Sequence, residues 1–290
     1  MSDQDWLTTR FEQQRPRLRS VAYRMLGSLS EADDAIQNTW LRVSRADTAD
    51  VENLGAWLTT VLARVCLNTL RSRTQRREES LDFMMPDPIL DRDAGGNPEH
   101  EAVLVDSVGI ALLVVLETLT PAERLAFVLH DLFAVPFDEI GAMIERSPDA
   151  ARQLASRARR RVRGRAPLPD PDIARQREVV DAFFAAARNG NFEALIAVLH
   201  PDVVFRADGL GPVPFVLTGA EKVAGNARMF GPASPLVRPV LVNGGAGVIV
   251  VEDGQLKSIS GFTVVSGRIV AIDVLADPER LSAYDLSFLD

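Results

Sequence analysis

Up to Arg165 the apolar positions of the chain recur at three- and four-residue intervals, and from about Val203 onward they alternate. Leu7, Phe11, Leu18, Val21, Ala22 and Met25 predict an amphipathic helix from Asp5 to Leu26, with Gly27 as its stop. Ser30 and Asp33 form a capping-box-like start for a second helix, EADDAIQNTWLRV, which turns Ala35, Ile36, Trp40 and Val43 inward. Asn53 caps a third, from Leu54 to Arg73, with Trp57, Leu58, Val61, Leu62 and Val65 as its stripe and Arg64, Asn68 and Arg71 on one polar side. Helical pattern resumes from Val103 to Leu119. Thr120, Pro121 and Glu123 are then an N-cap, first-turn proline and capping-box glutamate in the expected order, opening a helix that carries Leu125, Phe127, Val128 and Leu132. His130 reads as a surface or helix-end residue.

The stretch from Val135 to Arg163 predicts a helix-turn-helix. Pro136 to Ile144 is a short support helix, Glu145 and Arg146 the turn, Ser147 the N-cap and Pro148 the first residue of the second helix. Along that helix Ala151, Leu154, Ala155, Ala158 and Val162 pack inward. Its arginines are then free to meet phosphates and base edges, which points to DNA binding.

Elsewhere the pattern breaks. From Thr74 to Glu101 prolines, glycines and acids replace the period, which predicts an extended acidic linker. APLPDPD is a stiff proline-rich joint. Beyond it come helices from Ile173 to Asn189 and Phe192 to Leu199, then strands at 203–207, 213–217, 236–242, 247–252, 259–265 and 268–275. Asp253-Gly254 and Ser266-Gly267 are the hairpin turns, so the back half is an α+β domain with helices over a curved antiparallel sheet.

Composition narrows the function. The chain has 290 residues, 47% of them hydrophobic, and a net charge of −8, which argues against coating nucleic acid or membrane by bulk charge. The basic charge is local, in Arg64, Arg71, Arg73, Arg76 and Arg77 and again in Arg152 through Arg165, which suggests two separate DNA contacts. The single cysteine, Cys66, allows neither a disulfide framework nor a thiolate metal cluster and reads as a small buried hydrophobe. Without a signal-peptide pattern or an apolar run of about 20 residues, the protein is expected in the cytoplasm and off the membrane.

The front half resembles bacterial sigma factors of the extracytoplasmic-function group, which keep only the second and fourth conserved regions. SEADDAIQNTWLRV and NLGAWLTTVLARVCLNTLRSR carry the likeness to region 2, and LTPAERLAFVLHDLFAVPFDEIGAMIERSPDAARQLASRARRRVR carries that to region 4. The back half is similar to the SnoaL-like branch of the NTF2-like fold, and sigma factors with this extension form a sigma J-like subgroup. The resemblance implies two all-α domains followed by an α+β NTF2-like cone. Residues 1–73 would be region 2, 74–101 the linker, 102–165 region 4, 166–172 the joint and 173–290 the SnoaL-like domain. The joint lacks the subgroup's tryptophan motif. Asp208, Gly209, Leu210, Gly211 and Pro212 stand where the subgroup has Asp-Gly-Gly-Gly-Lys, and Asp277-Pro278-Glu279-Arg280-Leu281 keeps the character of its helix-start motif.

By position, the resemblance assigns Asp33, Asp34, Gln37, Trp40 and Leu41 to docking on the polymerase. It assigns the loop from Asp47 to Asn53, with Asn53, Arg64, Asn68, Arg71 and Arg73, to the minus-ten element. Arg152, Gln153, Ser156, Arg157 and Arg160 go to the minus-thirty-five element. The expected partners are RNA polymerase core and promoter DNA, with no cofactor and no metal. The expected activity is promoter-directed transcription initiation, not enzymatic, with the SnoaL-like domain regulating it in cis. A pocket bordered by Arg206, Asp208 and Asp273 is the candidate place for a small-molecule ligand. Two rivals stand beside this reading. One is a helix-turn-helix repressor acting without polymerase. The other is an enzymatic SnoaL-like pocket in which Asp208 and Asp273 serve as base and stabiliser.

Overall fold

The computed structural model describes residues 3–46, 51–77, 85–91, 109–163, 165–166, 168–211, 213–227 and 237–286. They divide into two compact units, one built from residues up to 77 with 115–165, the other from 85–91, 109–114 and 166–286.

The first unit is all helical. α1 (Asp3–Leu26), α2 (Leu29–Val43) and α3 (Leu54–Arg77) bundle around Phe11, Leu18, Val21, Met25, Ile36, Leu58, Leu62 and Cys66, all fully buried. Burial pushes the Cys66 thiol up to about 12, so it stays protonated and inert. The first helix ends at Gly27, whose left-handed backbone (φ 72°) breaks the ladder. The cap of α2 is Ser28 rather than Ser30: its hydroxyl accepts the Glu31 N–H, so the helix begins two residues earlier than the sequence pattern suggests.

α4 (Ile110–Glu117) leads to α5 (Pro121–Phe127), whose start is the expected reciprocal box. Thr120 Oγ1 accepts the Glu123 N–H, and Glu123 Oε2 accepts the Thr120 N–H. Of the helix expected from Val103, residues 103–108 lie outside the described residues. α5 runs on into a wider π-turn, Val128–Leu132, before α6 (Phe137–Met143) and α7 (Pro148–Arg163). Within this unit the two sets of helices touch. Arg124 of α5 is buried, donating to the Arg24 carbonyl of α1 at 3.2 Å and to Glu117 at 2.6 Å, and the Arg24 guanidinium lies 5.2 Å from the Phe133 ring.

The second unit is the NTF2-like α+β fold. α8 (Ile173–Arg188), α9 (Phe192–Val198) and α10 (Ala220–Asn226) cover one face of a sheet. In chain order its strands are β1 (Leu90–Asp91), β2 (Leu199–Asp208), β3 (Phe215–Thr218), β4 (Val237–Val242), β5 (Gly245–Glu252), β6 (Gln255–Val265) and β7 (Arg268–Leu275). Across the sheet the order is β1-β4-β5-β6-β7-β2-β3, antiparallel except for β2 beside β7. Irregularities at Val250/Val251 and Thr263/Val264 curve it. Val180, Phe183, Phe184, Phe205, Phe262 and Ile272 fill the core under the helices.

The other face of the sheet departs from the expected linear order of domains. It is covered by Met85, Leu90, Ile110, Val114 and Leu281, the last from α11 (Pro278–Leu281). Residues 85–91, expected to be irregular linker, are therefore part of this unit. Leu90 pairs with Val242, and Ile89 and Asn243 exchange hydrogen bonds of 3.1 and 2.8 Å. Arg280 binds the Asp87 carboxylate and the Met85 carbonyl, and the Tyr284 hydroxyl donates to the Pro88 carbonyl at 2.9 Å. The rest of that linker, 78–84 and 92–101, lies outside the described residues. α10 was not anticipated, since seven residues give too little period to read.

The proline-rich joint is anchored to the same unit. The Asp170 carboxylate accepts the N–H groups of Ser266 (2.9 Å) and Gly267 (3.0 Å) in the left-handed β6–β7 turn, and the Asp170 N–H donates to Val264. These two donors, Gly267 first, hold the Asp170 carboxyl below the usual carboxylate range. Its stabilisation is thus present above the unfolded carboxylate's pKa, about 4, and is lost as pH falls through the lower folded value. Asp170→Ala is expected to lower the melting temperature at pH 7. The gap from the parent chain should close as pH drops from about 5 towards 2, measured by thermal melts across that range; a gap independent of pH would exclude the carboxylate as its source.

Candidate nucleic-acid interface

A single turn sets the geometry of the helix-turn-helix. Glu145 takes the left-handed conformation (φ 57°), and the Arg146 N–H returns to the Gly141 carbonyl at 2.9 Å. A Cβ at Gly141 would lie 2.7 Å from the Arg146 carbonyl oxygen, so only glycine lets α6 and the turn approach this closely. Sequence reasoning passed over Gly141, although a glycine inside an otherwise helical run, six residues before the cap, was its signal. Ser147 Oγ accepts the Ala150 N–H at 3.2 Å, and the second helix starts at Pro148 as expected.

On α7 the inward positions Ala151, Leu154, Ala155 and Ala158 are buried, whereas Arg152, Gln153, Ser156, Arg157 and Arg160 are exposed along one face. Carboxylates partly balance the arginines. Asp149 binds Arg152 at 2.5 Å, Asp131 binds Arg159 at 2.5 Å, and the buried Glu123 binds Arg161 at 2.8 Å with Arg157 at 3.9 Å. Glu123 thus ties α7 to α5 and Asp131 ties it to the π-turn, and the remaining arginines stand exposed on a single helix, the kind of element a major groove admits.

A second set of exposed residues lies on the three-helix bundle. Asp33, Asp34, Gln37 and Leu41 are exposed on one side of α2, and Leu41 is an uncovered large apolar side chain. Trp40 is half-buried against Phe11 (ring centroids 5.0 Å), so it shapes this surface more than it projects from it. Asp33 is held by both nitrogens of Arg19, at 2.8 and 3.1 Å. Along α3, Arg64, Asn68 and Arg71 form an exposed row.

Two members of the expected set do something else. Asn53 Oδ1 caps α3 by accepting the Ala56 N–H at 3.1 Å, which commits that oxygen. Arg73 turns away from the row, binding the Glu31 carboxylate with two nitrogens and the Leu26 carbonyl at 2.8 Å, so it braces α3 against the start of α2. Residues 47–50 and the side chains of Arg76 and Arg77 lie outside the described residues.

The acids and arginine expected to border a pocket are held in ion pairs. Arg206 and Asp273 are cross-strand partners joined at 2.7 Å, and Asp273 is almost fully buried. Burial raises its carboxyl above the usual range against the opposing pull of Arg206. Asp208 is bound by Arg280 at 2.7 Å. Asp208 also accepts the Met85 N–H at 3.4 Å, whereas Asp273 is engaged through Oδ1 alone, its Oδ2 being buried without a hydrogen-bond partner among the described residues. A cleft of about 440 Å³ lies elsewhere in this unit, between Ile196, Leu199, Pro201 and Ala220, with Lys222 and Arg268 among its lining residues.

Comparison with known proteins agrees with this partition. The family model described as Sigma-70 region 2 matches residues 10–76, and that for Sigma-70 region 4 matches 110–162. The chain is 39% identical to the ECF RNA polymerase sigma factor SigJ of Mycobacterium tuberculosis, over 95% of this chain and 93% of the relative. It is 33% identical to the probable ECF RNA polymerase sigma factor SigI of the same species, over 97% of each. The crystal structure of M. tuberculosis SigJ superposes with a TM-score of 0.76 at 34% identity, covering 97% of this chain and all of that one.

The geometry separates bracing arginines from displayed ones. Arg73→Ala is expected to cost about 2 kcal/mol of stability, in the range for a lost charged hydrogen bond. Arg71→Ala should cost less than about 0.5 kcal/mol, as surface substitutions do. Denaturant melts of the two variants check the difference, and equal losses would contradict it.

Proposed function

The chain belongs to the extracytoplasmic-function family of RNA polymerase sigma factors, proteins that direct core polymerase to promoters, and from that premise we propose that its NTF2-like unit governs initiation in cis. Region 2 docks on core polymerase through the α2 face of Asp33, Asp34, Gln37 and Leu41. Arg64, Asn68 and Arg71 on α3 meet the minus-ten element, where opened bases must be held at a cost of a few kcal/mol each. The exposed face of α7 meets the minus-thirty-five element. The protein acts in the cytoplasm, where polymerase and promoters are; among the described residues no helix is long and apolar enough to cross a membrane.

The observation that carries regulation in cis is the course of residues 85–91. The only covalent connection between region 2 and region 4 is bound into the NTF2-like unit by a strand pair, Arg280 and Tyr284. The two promoter elements lie about 25 base pairs apart, roughly 85 Å at about 3.4 Å per pair. In the first unit, however, regions 2 and 4 pack directly together through Arg124 and Arg24. Reading both elements at once therefore requires the regions to part. A connection anchored midway to a folded unit cannot swing as a free tether, so the grip on residues 85–91 sets how readily they separate.

The paired states of Asp208 and Asp273 support a regulatory unit over a catalytic one, since each carboxylate is engaged by an arginine. We assign the candidate ligand site to the 440 Å³ cleft, a volume typical of small-molecule sites. Its apolar floor with Lys222 and Arg268 fits an anion bearing an apolar tail. A repressor acting without polymerase leaves the region 2 surface unexplained.

Run-off transcription with purified core polymerase tests the proposal, comparing the full chain, a chain truncated after Arg165, and Arg280→Ala, which frees Asp87, Asp208 and the Met85 carbonyl. Promoter-specific transcripts are expected from the full chain. Both changes should alter their yield in the same direction by at least about fivefold, the effect of a coupling of about 1 kcal/mol. Yields unchanged in both would overturn regulation in cis.

A further inference from the structure

We propose that Phe137 of the support helix is a positioning residue that fixes the plane of the Arg152 guanidinium, so that Arg152 reads a guanine; this rests on α7 being the element that enters the major groove. Arg152 projects from the first turn of α7 with its side chain 60% exposed. A side chain so long and so exposed carries about 2 kcal/mol of rotamer entropy, which dilutes any base preference unless something orders it beforehand.

Four contacts supply that order. The guanidinium carbon lies 5.4 Å from the centroid of the Phe137 ring, within the range of a cation–π contact. Phe137 is itself stacked on His130, with ring centroids 3.7 Å apart and planes inclined by 26°. His130 is fixed in turn through Nδ1, 3.0 Å from the Val135 carbonyl oxygen, and it stands in the widened π-turn that brings its ring back over α6. The fourth contact is from Nη1 of Arg152 to Asp149 at 2.5 Å.

The chemistry of the base follows from what is left. With an aromatic ring beside it and Nη1 on a carboxylate, the guanidinium has its Nε and Nη2 edge left to present. Two parallel N–H donors match the O6 and N7 acceptors that guanine alone displays side by side in the major groove; adenine offers a donor beside N7. Asp149 also disfavours rotation of the fork towards a phosphate, where Arg152 would add affinity without sequence information. Base choice at this position is thus prepared by the support helix and by the turn before it.

The test is transcription by core polymerase and the full chain from a promoter library randomised across the minus-thirty-five element. The parent chain is expected to require guanine at one position, and Arg152→Ala to lose that requirement alone. Phe137→Ala and Phe137→Leu should both weaken the guanine preference there by about five- to tenfold, leaving other positions unchanged, while Phe137→Tyr and Phe137→Trp keep it. Leucine conserves apolar volume without a ring face, so retention of the preference by Phe137→Leu would reduce Phe137 to packing and overturn the proposal. A uniform loss across all sequences would overturn it as well. If Arg152→Ala leaves every base preference intact, the assignment of Arg152 as a reader fails instead.

Discussion

The buried guanidinium of Arg124 is the constraint on which the helical unit turns. A charge removed from water costs several kcal/mol unless it is paired and hydrogen-bonded, and Arg124 recovers part of that cost from Glu117 and from the Arg24 carbonyl of region 2, with its Nη2 left without a hydrogen-bond partner among the described residues. Its neighbour Glu123 caps α5 and holds Arg161 of the recognition helix. One helix start therefore fixes the DNA-reading helix with one residue and region 2 with the next. Opening the pair of regions returns Arg124 and Arg24 to water, and their rehydration offsets part of the lost packing. A closed state joined through arginines is easier to open than one joined through an equal area of leucine.

The elements that sequence alone revealed are those whose causes are local. Thr120, Pro121 and Glu123 form their box within four residues, and the face of α7 follows from a period of 3.6 because its inner side is alanine and leucine throughout. The same locality explains the error at α2, where Ser28 and Ser30 both offer a hydroxyl and only the position of the Glu31 N–H decides between them. Arg71 and Arg73 are identical in type and two residues apart, yet about 200° apart around the helix. One is displayed and the other braces Glu31, a difference that depends on where α2 lies.

The C-terminal strands were legible to within a few residues because their alternation and turns are local too. The strand at Leu90 was not, since its partner Val242 lies far along the chain and two paired residues leave no pattern. The ion pairs of Asp208 and Asp273 were illegible for a related reason: a carboxylate near a turn or at a strand end has the same sequence signature whether it is solvated or matched by an arginine from a distant helix or strand.

The borrowed strand has a consequence for the open form. Leu90 and Asp91 pair the last two residues of β4, Val242 and Leu241. Were they to leave, β4 would present the backbone donors and acceptors of that end unpaired, the kind of edge that templates pairing with another chain. On the proposed opening, the sigma factor released from its own linker would be a sticky species, its lifetime away from polymerase bounded by self-association as well as by reclosing.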